Sequence, residues 1–142
     1  MSITLQTART IIAGARAAGA ERGFKPLTVV VLDSGGHVLA VEREDGSSNR
    51  RFEIAHGKAH GALSLGVGSR ALMVRAEQQP FFIASVTAAV GGALVPVPGG
   101  VLVRDVDGAL IGAVGVTGDT SDNDEIAAVV GIEQAGLVAQ PD

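Results

Sequence analysis

Leu5, Ala8, Ile12, Ala15 and Ala18 recur at intervals of three and four, while Arg9, Arg16 and Arg22 fall elsewhere. That spacing predicts a helix capped by Thr4 and running to about Gly23, with a small-residue face suited to close packing on a sheet. The period then changes to that of strands. Residues 27–33 form a β-branched run, residues 37–43 alternate apolar with polar, and Ser34-Gly35-Gly36 between them predicts a β-hairpin. Helical spacing returns over 52–67 through Ile54, Ala55, Ala59, Ala62 and Leu63, after the polar loop 44–51. Residues 71–79 and 81–90 read as two shorter helices separated by Pro80. Three more strands are expected at 94–97, 101–106 and 109–116, the last two joined by a type I′ turn at Asp107-Gly108. The last helix is expected over 122–136, capped by the Asp122 carboxylate on the Glu125 N–H, with 137–142 as a tail. Hairpin-joined strands among helices predict one α/β (α+β) domain over 1–142, an antiparallel sheet with helices on it.

Composition narrows the functional classes. A length of 142 residues is enough for a proper core without staples. With no cysteine, disulfides, Fe–S clusters and zinc thiolate sites are excluded. Eleven Lys and Arg against fifteen Asp and Glu give a net charge of −4 with no basic run, which argues against nucleic acid. Trp and Tyr are absent and Phe numbers four, so stacking platforms for single strands are missing too. Residues 80–103 carry no charge, but Gly91, Gly92, Pro96, Pro98, Gly99 and Gly100 would break a lipid-exposed helix there. The stretch reads as a buried helix followed by buried strands, so no membrane partner is expected. Arg9 and Arg16 interrupt any apolar leader, which makes the cytoplasm the expected location.

His56 and His60 are the most suggestive candidates for chemistry. At i, i+4 on one helix, both imidazoles leave the same face, which suits two ligands to one metal or a haem ligand with a polar neighbour. Glu53 shares that face, and the competing reading is a solvated polar stripe opposite the alanines. Lys58, between alanines, is expected to be partly buried, facing an anionic ligand or paired with Asp33 or Asp45. Arg43, at a strand end, is a candidate carboxylate clamp because its planar fork bonds both oxygens. The glycine-rich run through Thr117 and Gly118 into a helix start can hold an anion on its N–H groups, although Asp119 and Asp122 already bring negative charge. Asp122, Asp124 and Glu125 read first as capping residues and second as a surface cation site. His37 reads as an exposed turn residue. Nucleophilic catalysis has little support, with no cysteine and no Gly-x-Ser-x-Gly elbow.

Three stretches together resemble the GlcG/HbpS-like family, described as haem-binding or haem-degrading and found as the C-terminal domain of PduO-type proteins. The first runs from Lys25-Pro26-Leu27 through Asp33-Ser34-Gly35-Gly36-His37 to Arg43-Glu44-Asp45-Gly46. The second is Ile54-Ala55-His56-Gly57-Lys58-Ala59. The third runs from Val95-Pro96-Val97-Pro98-Gly99-Gly100 to Gly115-Val116-Thr117-Gly118 and Asp124-Glu125. The match covers nearly the whole chain. Glu44 stands where the family often has Met, and Thr117 where it often has Ser.

The resemblance implies a profilin-like fold, a five-stranded antiparallel sheet flanked by helices, and homo-oligomers. Its members are linked to haem binding and to glycolate and diol utilisation operons. A small-molecule ligand is therefore expected, haem first, in a pocket where Arg43 and Lys58 meet a carboxylate or propionate beside Thr117 and Gly118. His56 or His60 would be the axial ligand, since besides the histidines only Met1 and Met73 can donate a conventional axial atom. The alternative is an isomerase or lyase on a small carboxylated metabolite with Lys58 or a histidine as base, and a third reading is a purely structural assembly subunit. Phe81-Phe82-Ile83 and Val86 add to the expectation of a dimer or larger even-numbered oligomer.

Overall fold

The computed structural model describes residues 1–142. Helix α1 (Leu5–Arg22) begins at the expected cap, where Thr4 Oγ1 accepts from the Thr7 N–H at 3.0 Å. Strands β1 (Thr28–Asp33) and β2 (Val38–Arg43) form the first hairpin, and helices α2 (Arg51–Leu65), α3 (Ser69–Gln78) and α4 (Pro80–Ala89) follow. Strands β3 (Gly100–Arg104) and β4 (Leu110–Thr117), helix α5 (Ser121–Gln134) and strand β5 (Val138–Gln140) complete the fold. The five strands make one sheet in the order β2-β1-β4-β3-β5, every neighbour antiparallel. No helix is long and apolar enough to cross a membrane.

The fifth strand is not the expected one. Residues 94–97 form no strand: Pro96 and Pro98 have no N–H to give a ladder, and the Val95 N–H donates to the Gly57 carbonyl of α2 instead. The sheet edge is taken by Val138–Gln140, in the stretch read as a tail, pairing with β3 and holding Arg104 Nε on Gln140 Oε1 at 2.7 Å. The β3–β4 turn is not type I′ either, because only Gly108 has a positive φ there, at 89°. Asp105 Oδ1 ties that turn by accepting from the N–H groups of Asp107 and Ala109, as Asp33 Oδ1 does from Gly35 and His37 in the first hairpin. Thr120, not Asp122, caps α5, accepting from the Asn123 N–H at 3.2 Å.

The sheet has a core on each face. Val29, Val31, Val101, Val103, Val114 and Val116 face α1 and α5, whereas Val30, Leu32, Leu102 and Ala113 face the alanines of α2. Helix α2 lies unusually near the sheet. Gly100 and Gly115 are register partners, and a Cβ on Gly100 would collide with the Lys58 carbonyl and one on Gly115 with the Ala55 carbonyl. The α3–α4 hairpin closes the end of the fold over Leu72, Ile83 and Leu94.

Candidate functional site

Register places Arg43, Thr28 and Thr117 side by side across β2, β1 and β4, on the face that α2 covers. Helix α2 begins against this row. Arg51, in its first turn, donates from Nη1 to Thr117 Oγ1 at 2.9 Å and from Nε to Ser48 Oγ at 3.1 Å. Arg43 donates from Nη2 to the Ser47 carbonyl and so fixes the loop before α2. On the other side, the Lys25 N–H donates to Asp119 Oδ1 at 2.8 Å. That bond, the Asn123 side chain and the Thr120 N–H hold the Asp119 carboxyl down to about 2. A cavity of about 210 Å³ opens here, walled by Lys25, Ser47, Ser48, Arg51 and Gly118.

His56 and His60 lie further along α2. Phe52, His56 and His60 form a ladder, with centroids 5.7 and 5.4 Å apart and planes within 11° and 22° of parallel. Burial, and then the charge of His60, push the His56 imidazole below the usual histidine range, which favours its neutral form. His60 Nδ1 donates to the Ala93 carbonyl at 2.9 Å, across to the segment after α4. Its ring borders a cavity of about 180 Å³ against Ser34, Gly35, Gly36, Leu63 and Ser64.

Lys58 points into the protein. Its Nζ donates to Asp124 Oδ2 and to the Val116 carbonyl, each at 3.0 Å, with both charged side chains 2% exposed. Burial lowers the Lys58 pKa from the ordinary lysine value, against the opposing attraction of Asp124. The partner is thus neither Asp33 nor Asp45, and Lys58 lines none of the four cavities.

The single pocket expected from sequence is therefore divided. Thr117, Gly118 and Arg43 gather at the start of α2, His56 and His60 occupy its flank, and Lys58 is sealed beneath. Glu53 leaves the histidines for Arg50 at 3.3 Å, while Arg70 engages both Asp122 and Glu125. No group of three His, Asp or Glu side chains is placed to share a metal ion, so the Asp122, Asp124 and Glu125 cation site is not formed. His37 is exposed and bonds Asp33, as its turn position suggested. Sequence reasoning missed Arg51, Lys25 and the two serines. One signal was there: Arg50 and Arg51 open a helix, where the dipole disfavours cations, so an arginine at that place needs another reason.

Residues 3–133 match the family described as haem-degrading protein HbpS-like. Among solved structures, the chain is similar to PduOC in a complex with haem, at 20% identity over 96% of this chain and 97% of that one, with a TM-score of 0.85. It is similar to Klebsiella pneumoniae protein ORFY at 26% identity, over 94% and 90% of the two chains, with a TM-score of 0.84. A double mutant of Streptomyces reticuli HbpS aligns at 28% identity over 94% and 86%, with a TM-score of 0.80. No curated protein matches the chain. With 131 consecutive residues inside the family match, this chain belongs to the HbpS-like family.

Proposed function

We propose that this protein binds haem, with the iron held by Nε2 of His60. The observation that carries this reading is the hydrogen bond from His60 Nδ1 to the Ala93 carbonyl. A carbonyl only accepts, so Nδ1 carries a proton and Nε2, on the far side of the ring, is the nitrogen left for a metal. Histidines that ligate metals are commonly oriented by such a bond from the other nitrogen. The Gly36 turn lies against the same edge of the ring, where a Cβ would stand 3.4 Å from Cδ2 and 3.8 Å from Nε2. The residues present fit an axial ligand. Bound haem supplies a redox-active, Lewis-acidic iron; the chain fixes the ligand ring through Ala93 and backs it with the His56 and Phe52 rings.

One copy does not enclose a porphyrin. The cavity beside His60 is about 180 Å³, below the roughly 300 Å³ at which pockets begin to bury a drug-sized ligand. The homo-oligomer expected from sequence is part of the same proposal, and its support is the α3–α4 surface. Phe81 is 70% exposed there, and Leu65, Leu72, Val74 and Phe82 line a groove of about 290 Å³.

Titrating the protein with haemin tests the haem reading. The expected result is a Soret shift that saturates at a fixed ratio per chain, is lost in His60→Ala and persists in His56→Ala. A shift unchanged in His60→Ala would remove His60 as the ligand.

A further inference from the structure

The cavity at the start of α2 does not hold the iron in the haem reading. His60 is nine residues further along the helix, about 13 Å of axis at about 1.5 Å per residue. Apart from Pro26 and two glycines, the lining side chains are polar, and the ionisable ones, Lys25 and Arg51, are both cationic. Lys25 has the Asp119 carboxylate beside it, but Arg51 has no carboxylate partner, so in a chain of net charge −4 the cavity offers one unneutralised cation to an anion.

The Arg51 guanidinium is already oriented. Its bonds to Ser48 and Thr117 use Nε and one Nη1 hydrogen, leaving both Nη2 hydrogens and the second Nη1 hydrogen without a partner. Charged donors of this kind suit the oxygens of a carboxylate. Ser47 adds an independent observation. The residue is 7% exposed, it forms part of the cavity wall, and its buried Oγ has no hydrogen-bond partner. Buried hydroxyls are nearly always bonded, so an orphan on a residue of the cavity wall points to a group that arrives with the ligand. Thr28 Oγ1, in the sheet row with Arg43 and Thr117, is the other orphaned buried side-chain atom.

We propose that this cavity is a carboxylate-binding site. The unpartnered Arg51 donors take the carboxylate oxygens, Lys25 stands in the same wall, and Ser47 and Ser48 bond polar substituents such as an α-hydroxyl. A volume of about 210 Å³ admits a small organic acid and not a porphyrin. The same carboxylate chemistry is carried by a free acid and by a haem propionate, and two arms of one experiment separate them.

In the first arm, the haem-free protein is titrated calorimetrically with lactate, malonate and inorganic phosphate at constant ionic strength. A carboxylate should bind at one per chain and outcompete phosphate. Arg51→Gln should weaken it by about tenfold or more, the scale of a lost charged hydrogen bond. Ser47→Ala should weaken it while leaving the melting temperature unchanged or higher, because it removes an unbonded buried hydroxyl; a purely structural serine would not split the two readouts this way. In the second arm, haemin affinity is compared between wild type and Arg51→Gln. Free-acid binding with unchanged haemin affinity identifies a metabolite site, and a haemin loss without free-acid binding identifies a propionate site. The proposal is overturned if neither arm responds to Arg51→Gln, or if phosphate binds and the carboxylates do not. Lys25→Gln, at an exposed position, repeats the test should Arg51→Gln fail to fold.

Discussion

Lys58→Met takes away the ammonium that faces Asp124 inside the protein. The pair is 3.0 Å apart, both side chains are 2% exposed, and Nζ also bonds the Val116 carbonyl. Without Lys58, a buried carboxylate and a buried carbonyl lose their donor together. Breaking a buried pair from one side costs about 3–5 kcal/mol, a large part of a typical total of about 5–15 kcal/mol. For a chain of this size that is a fall of about 10–15 °C in melting temperature. Lys58→Met combined with Asp124→Leu removes both charges, leaving the Asp119 N–H without its acceptor at 2.9 Å and the Val116 carbonyl without its donor. Because burial has already penalised each charge, the double variant should be only about 1–2 kcal/mol below wild type, well short of the sum of the single changes. Urea denaturation of wild type, both single variants and the double variant closes the cycle. Strict additivity, or a Lys58→Met variant within about 1 kcal/mol of wild type, would refute the reasoning that this lysine is held by its buried partner.

Asp119 contributes to the acid limb of the stability curve. Its folded pKa of about 2 lies below the ordinary 3.8, so its contribution is present above that ordinary value and is lost as pH falls towards 2. Asp119→Asn should lower stability at pH 6 and lose less on further acidification, and parallel wild-type and variant curves would contradict this. Gly115→Ala should push α2 off β4, because its Cβ meets the Ala55 carbonyl, giving a cost of about 2 kcal/mol or more in thermal denaturation; a neutral result would mean the helix moves freely. For the oligomer, sedimentation should give an even multiple of 14.3 kDa that Phe81→Ser weakens; a monomer at micromolar concentration would overturn that reading.

Most of the elements were legible because their signals are local. The periods of α1 and α2, the Thr4 cap and the two glycine-bearing hairpins each lie within a few residues. Errors arose where a short apolar string had no period of its own. Leu94-Val95-Pro96-Val97 has strand composition, but Pro96 cannot serve a ladder, whereas Val138–Gln140 is too short to announce itself and forms only because the edge of β3 is free beside it. The site was legible in its residue types and not in its pairings. Lys58 meets Asp124 across 66 positions, Arg51 meets Thr117 across 66, and the ring of His60 is fixed by a carbonyl 33 residues away. None of those separations leaves a trace in local spacing. Only the arginines at the start of α2, unfavourable to the helix dipole, hinted that this end does something besides begin a helix.

The claim that His60 holds the iron is tested most directly by chemical rescue. Wild-type protein and His60→Gly are each saturated with haemin, and their visible spectra are recorded with and without added imidazole. His60→Gly should lose the wild-type Soret and visible bands, and imidazole, filling the space of the missing ring, should restore them. A His60→Gly spectrum identical to wild type before imidazole is added would contradict that claim and place the ligand on another side chain.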